Sequence, residues 1–322
     1  MIFCFYSVYY INHLKVKWGV RWTKKTKKIA LIKHRFRSKF HGGCVRYQLF
    51  RILVTKKLQE DLFGVPSSDD RAEIILNTLQ AGYLMKSGQN SSWVIGNVNA
   101  FNGLASFHFG KVKRQDLEKY NDESRTFEFQ ETDNAESTLC VWEHTYNLLS
   151  IGQNTRVSGN IKSISRALEQ FLNEDQNKYA KQYEFKIAEI DNPESFLKIV
   201  NDALAIKSFT VQVGRVNPWD VEDAFHKPLQ QFNEQINAKR STTTFVSSAL
   251  NKDGVSELTK SAVSVGNKPK MKYVDKKTNR SMIKSVGDKA LIFNVEDNQK
   301  FDALEIKNVA IKIYENIKKV IF

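Results

Sequence analysis

Catalysis in this chain would have to be built from six histidines, three cysteines and 35 carboxylates. The histidines are dispersed, and no H-E-x-x-H, C-x-x-C or calcium-loop spacing occurs. His108 alternates inside a strand-like run, His144 follows Glu143 at a strand end, and His226 lies in a helical run. Histidines so placed are ordinarily surface or hydrogen-bonded core groups. Cys4, Cys44 and Cys140 are too few and too scattered for a disulfide framework or a thiolate metal site, so a reducing cytoplasm is expected. The 15 glycines form neither G-x-x-x-x-G-K-[ST] nor G-x-G-x-x-G, which excludes a P-loop hydrolase, and G-x-S-x-G is also missing. One carboxylate pattern fits metal-dependent phosphodiester cleavage. Glu184 and Lys186 stand two apart on a strand-like run and so share a face, with Asp175 as the preceding acid. Glu-x-Lys recurs by chance at this composition. The expectation is a protein without an active site, cofactor or metal, with a divergent nuclease as one alternative.

Cations carry the stronger pattern. The net charge is +14, and residues 1–59 hold fifteen Lys or Arg before the first acid, Glu60. The remaining chain is close to neutral. In the basic segment Lys33, Arg35, Arg37 and Lys39 alternate with His34, Phe36, Ser38 and Phe40. As a strand this would put four cations on one face and aromatics on the other, the groups that hold phosphates and stack bases. A second patch lies within the neutral part. Residues 268–289 contain Lys268, Lys270, Lys272, Lys276, Lys277, Arg280, Lys284 and Lys289 against Asp275 and Asp288. Lys268, Lys270 and Lys272 alternate on one strand of a hairpin, which suits either a polyanion or a protected sheet edge. Lys33, Arg35, Arg37, Lys39, Lys268, Lys270, Lys272, Lys276, Lys277 and Arg280 are therefore the candidate nucleic-acid ligands.

The elements that must position these residues follow from hydrophobic period. Residues 46–54 alternate into a strand, and 69–84 place Ala72, Ile75, Leu76, Leu79 and Tyr83 on a helical face. Strand-like runs follow at 92–101, 104–112, 125–131, 137–143 and 147–152, with QDLEKYNDES read as a polar loop. Then come a helix over 164–172, a strand over 183–190 and a helix opened by Asp191-Asn192-Pro193-Glu194. A strand over 206–216 leads to Asn217-Pro218-Trp219-Asp220, which opens a helix with Val221, Phe225, Leu229, Phe232 and Ile236 inward. A strand or short helix entry over 242–250, a helix over 254–263, a hairpin around KKTNR, a strand over 289–297 and an amphipathic C-terminal helix complete the chain.

The fold class expected is α+β, mostly antiparallel sheets with packed helices, in two lobes behind a basic extension. The divisions are 1–45, 46–178 and 179–322. Residues 1–45 lack acids and regular amphipathicity, and fit a nucleic-acid-binding arm or translation from a start set too far upstream. MIFCFYSVYYINHL has no cationic n-region and is shorter than the roughly 20 residues a bilayer requires, so no membrane role is expected.

STLCVWEHTYNLLSIG, the ISRALEQFL helix and the two strand–Asn-Pro–helix units over 183–238 are similar in layout to bacterial α+β proteins of phage-defence and mobile-element gene sets, among them RexA-like phage-exclusion proteins. The resemblance covers about half the chain and implies DNA binding and antiviral defence, with no residue role to carry across. The function expected is non-catalytic nucleic-acid binding, DNA ahead of RNA. The partner is nucleic acid or a protein, with homo-oligomerisation left open, and a protein-interaction subunit is the other alternative.

Overall fold

The computed structural model describes residues 44–57, 68–214, 226–236, 238, 240–287, 289–296 and 302–318. The cationic run Lys33, Arg35, Arg37 and Lys39 lies outside the described residues. Two antiparallel sheets and six helices make up the described part, an α+β fold.

The first sheet has the order β12-β1-β6-β5-β4-β3-β2, with β7 also paired to β1. Its axis is β1 (Cys44–Lys56), whose residues from Tyr47 to Val54 are all buried. Tyr47 is opposite both Gly152 of β6 (Leu148–Gly152) and Phe293 of β12 (Ile292–Glu296). Phe50 is opposite both Leu149 of β6 and Glu189 of β7 (Tyr183–Glu189). β7 and β12 therefore occupy successive stretches of one edge of β1, and β6 the other. Both come from the segment beyond residue 178, so that segment contributes two strands to the first sheet. The rest of this sheet is a meander of β5 (Thr126–Glu143), β4 (Leu104–Asn121), β3 (Ser91–Phe101) and the short β2 (Leu84–Lys86).

One face of this sheet is covered by α1 (Ser68–Leu79) and α2 (Ile161–Leu172), through Ile75, Leu79, Ile164, Leu168 and Phe171 against Phe50, Ile52, Phe107, Phe109 and Trp142. Asn160 caps α2 by accepting from the Lys162 N–H at 2.9 Å. On the opposite face α6 (Ala303–Lys318) packs against the sheet, α5 (Lys252–Ser264) lies against α6 and α3 (Glu194–Asp202), and α5 packs in turn against the second sheet. That sheet runs β11-β10-β8-β9, with β8 (Ala205–Gly214), β9 (Arg240–Val246), β10 (Lys270–Val274) and β11 (Ser281–Ser285). Ile206, Phe209, Val211, Met271 and Tyr273 form its inner face.

Several expectations are corrected. α1 stops at Leu79 rather than Leu84, because Gly82 takes φ +65° and Leu84–Lys86 turns into a strand. QDLEKYNDES is mostly strand: β4 continues to Asn121 and of its residues only Asp122, Glu123 and Ser124 belong to the turn, while the runs at 125–131 and 137–143 are one strand, β5. In α4 (His226–Gln235) Phe232 and Ile236 lie outward at 53% and 55% exposure. Among the described side chains of α4 the buried one is Asn233, whose Nδ2 donates to Val213 O and Ser241 Oγ at 3.1 Å each. Asn217-Pro218-Trp219-Asp220 lies outside the described residues.

Candidate nucleic-acid interface

The β10–β11 hairpin forms where the sequence places it. Asp275 builds its turn, accepting from the Thr278 N–H and Oγ1 at 2.9 Å each. These bonds, with nearby Lys277, hold the Asp275 carboxyl below the usual carboxylate range. Asn279 completes the reversal at φ 54°.

In β10 the buried side chains are Met271 and Tyr273, which leaves Lys270 and Lys272 exposed on the outer face. Directly opposite residues of an antiparallel ladder share a face. Lys270 is opposite Ser285 of β11 and Thr210 of β8, and Thr210 is opposite Thr244 of β9. Lys272 is opposite Ile283 and Ser208, and Ser208 is opposite Val246. The outer face is thus two rows across four strands, each holding one lysine: the Lys270 row is rich in hydroxyls, and the Lys272 row combines Ser208 with the exposed Ile283 and Val246. Thr210 and Thr244 hydrogen-bond to each other at 3.0 Å. Lys276, Lys277 and Arg280 stand exposed at the turn.

Lys268 does not join them. Its Nζ lies 3.1 Å from Asp191 Oδ2 and 3.3 Å from Glu189 Oε2. Glu189 also takes Lys162 Nζ at 2.9 Å and Gln48 Nε2 at 2.7 Å. Asp191, the first residue of the Asp191-Asn192-Pro193-Glu194 helix start, is turned inward with its side chain 1% exposed, while Asn192 Oδ1 accepts from the Glu194 N–H. Burial pushes the Asp191 carboxyl above the usual range, against the pull of Lys268. Burial also acts on Lys268, but Asp191 and Glu189 outweigh it and hold its ammonium above the ordinary lysine value. Gly287 lets the chain pass beside this cluster. A Cβ there would sit 3.3 Å from Lys268 Cδ. The cluster ties β1, α2, β7 and the α5–β10 connection together, and two ammonium groups already neutralise its two carboxylates. Nothing in the spacing of Gln48, Lys162, Glu189, Asp191 and Lys268 announces it.

Glu184 and Lys186 are both exposed on one face of β7, opposite Thr55 and Leu53, and Asp175 is exposed on a separate loop. Among the described residues no group of three or more His, Cys, Asp or Glu is placed to hold a metal ion. None of the described helices is long and apolar enough to cross a membrane.

The fold class defined here is α+β, two antiparallel sheets separated by a helical layer. No protein-family model matches the chain, and no curated protein matches it.

Proposed function

We propose that this protein binds nucleic acid without catalysis, duplex DNA before RNA and with little sequence preference, through the outer face and turn of the β10–β11 hairpin. One observation carries the proposal. Lys270, Lys272, Lys276, Lys277 and Arg280 are exposed and make no ion pair among the described residues, whereas Lys268, two residues away, is paired. Lysines flanked by Ser208, Thr210 and Thr244 offer ammonium and hydroxyl donors together, the groups that contact phosphate oxygens. Contacts of that kind carry no base readout, hence the low sequence preference. Lys33, Arg35, Arg37 and Lys39 would add cations to the same task. A phage-defence or mobile-element setting rests on the layout resemblance of residues 137–238 alone.

The test is fluorescence anisotropy of the full chain with a labelled duplex over a salt series. Each phosphate contact contributes about −0.9 to the slope of log affinity against log salt. Lys270→Ser, Lys272→Ser, Lys276→Ser and Lys277→Ser together are expected to flatten the slope by roughly 3 to 4. A quadruple variant that binds with the parent's affinity and slope rejects this face as the interface.

A further inference from the structure

β4 and β5 run far past their sheet. β3 pairs β4 only as far as Lys113, and β6 pairs β5 only over Cys140–Glu143. From Gln115 opposite Thr132 to Asn121 opposite Thr126 the two strands pair only with each other, among the described residues. At about 3.4 Å per residue this ribbon extends roughly 24 Å beyond the sheet. A two-stranded hairpin without a covering layer is marginally stable in water. This one also leaves three aromatic rings in solvent near its tip: Tyr120 is 51%, Phe127 67% and Phe129 74% exposed. Tyr120 is opposite Phe127, and Glu118 is opposite Phe129, so the three rings and Glu118 share one face. The Tyr120 and Phe127 ring centroids are 5.2 Å apart. Together the rings present roughly 300 Å² of apolar surface, the scale at which an exposed patch marks an interaction site.

Charge selects the occupant. Residues 115–132 carry six acids and two bases, in contrast to the cationic hairpin β10–β11. Phosphate is repelled by such a ribbon. Ammonium and guanidinium groups are attracted twice, by the carboxylates and by the aromatic faces. The open backbone edges can pair with an extended chain. We propose that the β4–β5 ribbon is a docking arm for an extended, Lys- and Arg-rich segment of a partner protein, held by Tyr120, Phe127, Phe129 and the carboxylates around them. This surface is independent of the nucleic-acid face.

The full chain is titrated with three labelled probes: a short Lys/Arg-rich peptide, its Glu-substituted counterpart and oligo-dT. The cationic peptide is expected to bind and the acidic one not to bind. Phe127→Ser with Phe129→Ser is expected to weaken the cationic peptide roughly tenfold or more, with the melting temperature unchanged. Glu118→Gln with Asp122→Asn and Glu123→Gln should weaken it and reduce its salt dependence. Glu128 is left intact because it accepts from Asn121 Nδ2 at 3.0 Å and Ser124 Oγ at 3.2 Å in the turn. Equal peptide affinity in the parent and both variants overturns the proposal. So does a loss of oligo-dT binding alone in the phenylalanine variant, which would make the rings a base-stacking platform. A clear fall in its melting temperature overturns it too, since the rings would then be packed structure.

Discussion

Replacing Lys268 with Met separates a structural lysine from its binding neighbours. A unit-charge pair near 4 Å is worth about 4 kcal/mol at an effective dielectric of about 20, and desolvation offsets most of that. What matters is what each carboxylate keeps. Glu189 retains Lys162 at 2.9 Å and Gln48 at 2.7 Å. Asp191 is buried, and its one ion pair shown is with Lys268. Orphaning one partner of a fully buried pair costs about 3–5 kcal/mol. Lys268 is 47% exposed and solvent already screens it, so about 2 kcal/mol is expected. In a protein of this size that is a fall of about 3 °C in melting temperature. The pH dependence has a definite sign. Burial already raises the Asp191 carboxyl, and removing Lys268 removes the opposing pull. A carboxyl whose folded pKa lies above its unfolded value penalises the folded state fully above the folded pKa. Below the ordinary carboxylate value the penalty is gone. The deficit of Lys268→Met should therefore shrink on acidification as Asp191 protonates, and shrink again above the ordinary lysine value as Lys268 of the parent loses its own charge. Lys268→Met with Asp191→Asn should recover most of it at every pH. Urea unfolding followed by circular dichroism measures both, and anisotropy should give an unchanged salt slope for DNA. Parent-like stability at every pH between the carboxylate and lysine ranges, or a slope that falls with Lys268→Met, would refute the pairing as the role of Lys268.

Two further outcomes follow from packing. A Cβ on Gly110 would run into the Glu136 carbonyl and sit 2.7 Å from Ser137 Cα, all backbone of β5, whereas Gly96 has nothing within 4 Å. Gly110→Ala should cost about 3 kcal/mol and Gly96→Ala close to nothing, as read by thermal melts, and equal melts would refute the close approach. Cys44 is exposed and Cys140 buried, with burial pushing the Cys140 thiol far up. Iodoacetamide should label Cys44 in the native protein and Cys140 only after denaturation, and peptide mapping that finds both labelled at one rate would contradict this burial.

Local pattern was enough where an element buries one face and carries its own stop signals. Helix α2, the hairpin around Asp275–Arg280 and the α+β class were legible for that reason: period 3.6 or 2 against polar flanks, with capping or turn residues at the ends. The outward direction of Lys270 and Lys272 was legible too, because Met271 and Tyr273 must face the core. The β4–β5 ribbon was only half legible. Phe127 and Phe129 mark 125–131 as a strand, but 115–121 lacks apolar alternation because, among the described residues, neither face of the ribbon is buried, and only the partner strand defines that half. The inward residue of α4 was hidden because Asn233 is held by bonds to β8 and β9 rather than by hydrophobicity. Lys268 looked like its neighbours, since charge and spacing are local while its partners Glu189 and Asp191 are far away in the chain. The sequence by itself thus determined the helices and strands that bury one face, and where cations are concentrated. Tertiary structure decided which of those cations stay free in solvent, because a long-range ion pair depends on which strands the fold brings side by side.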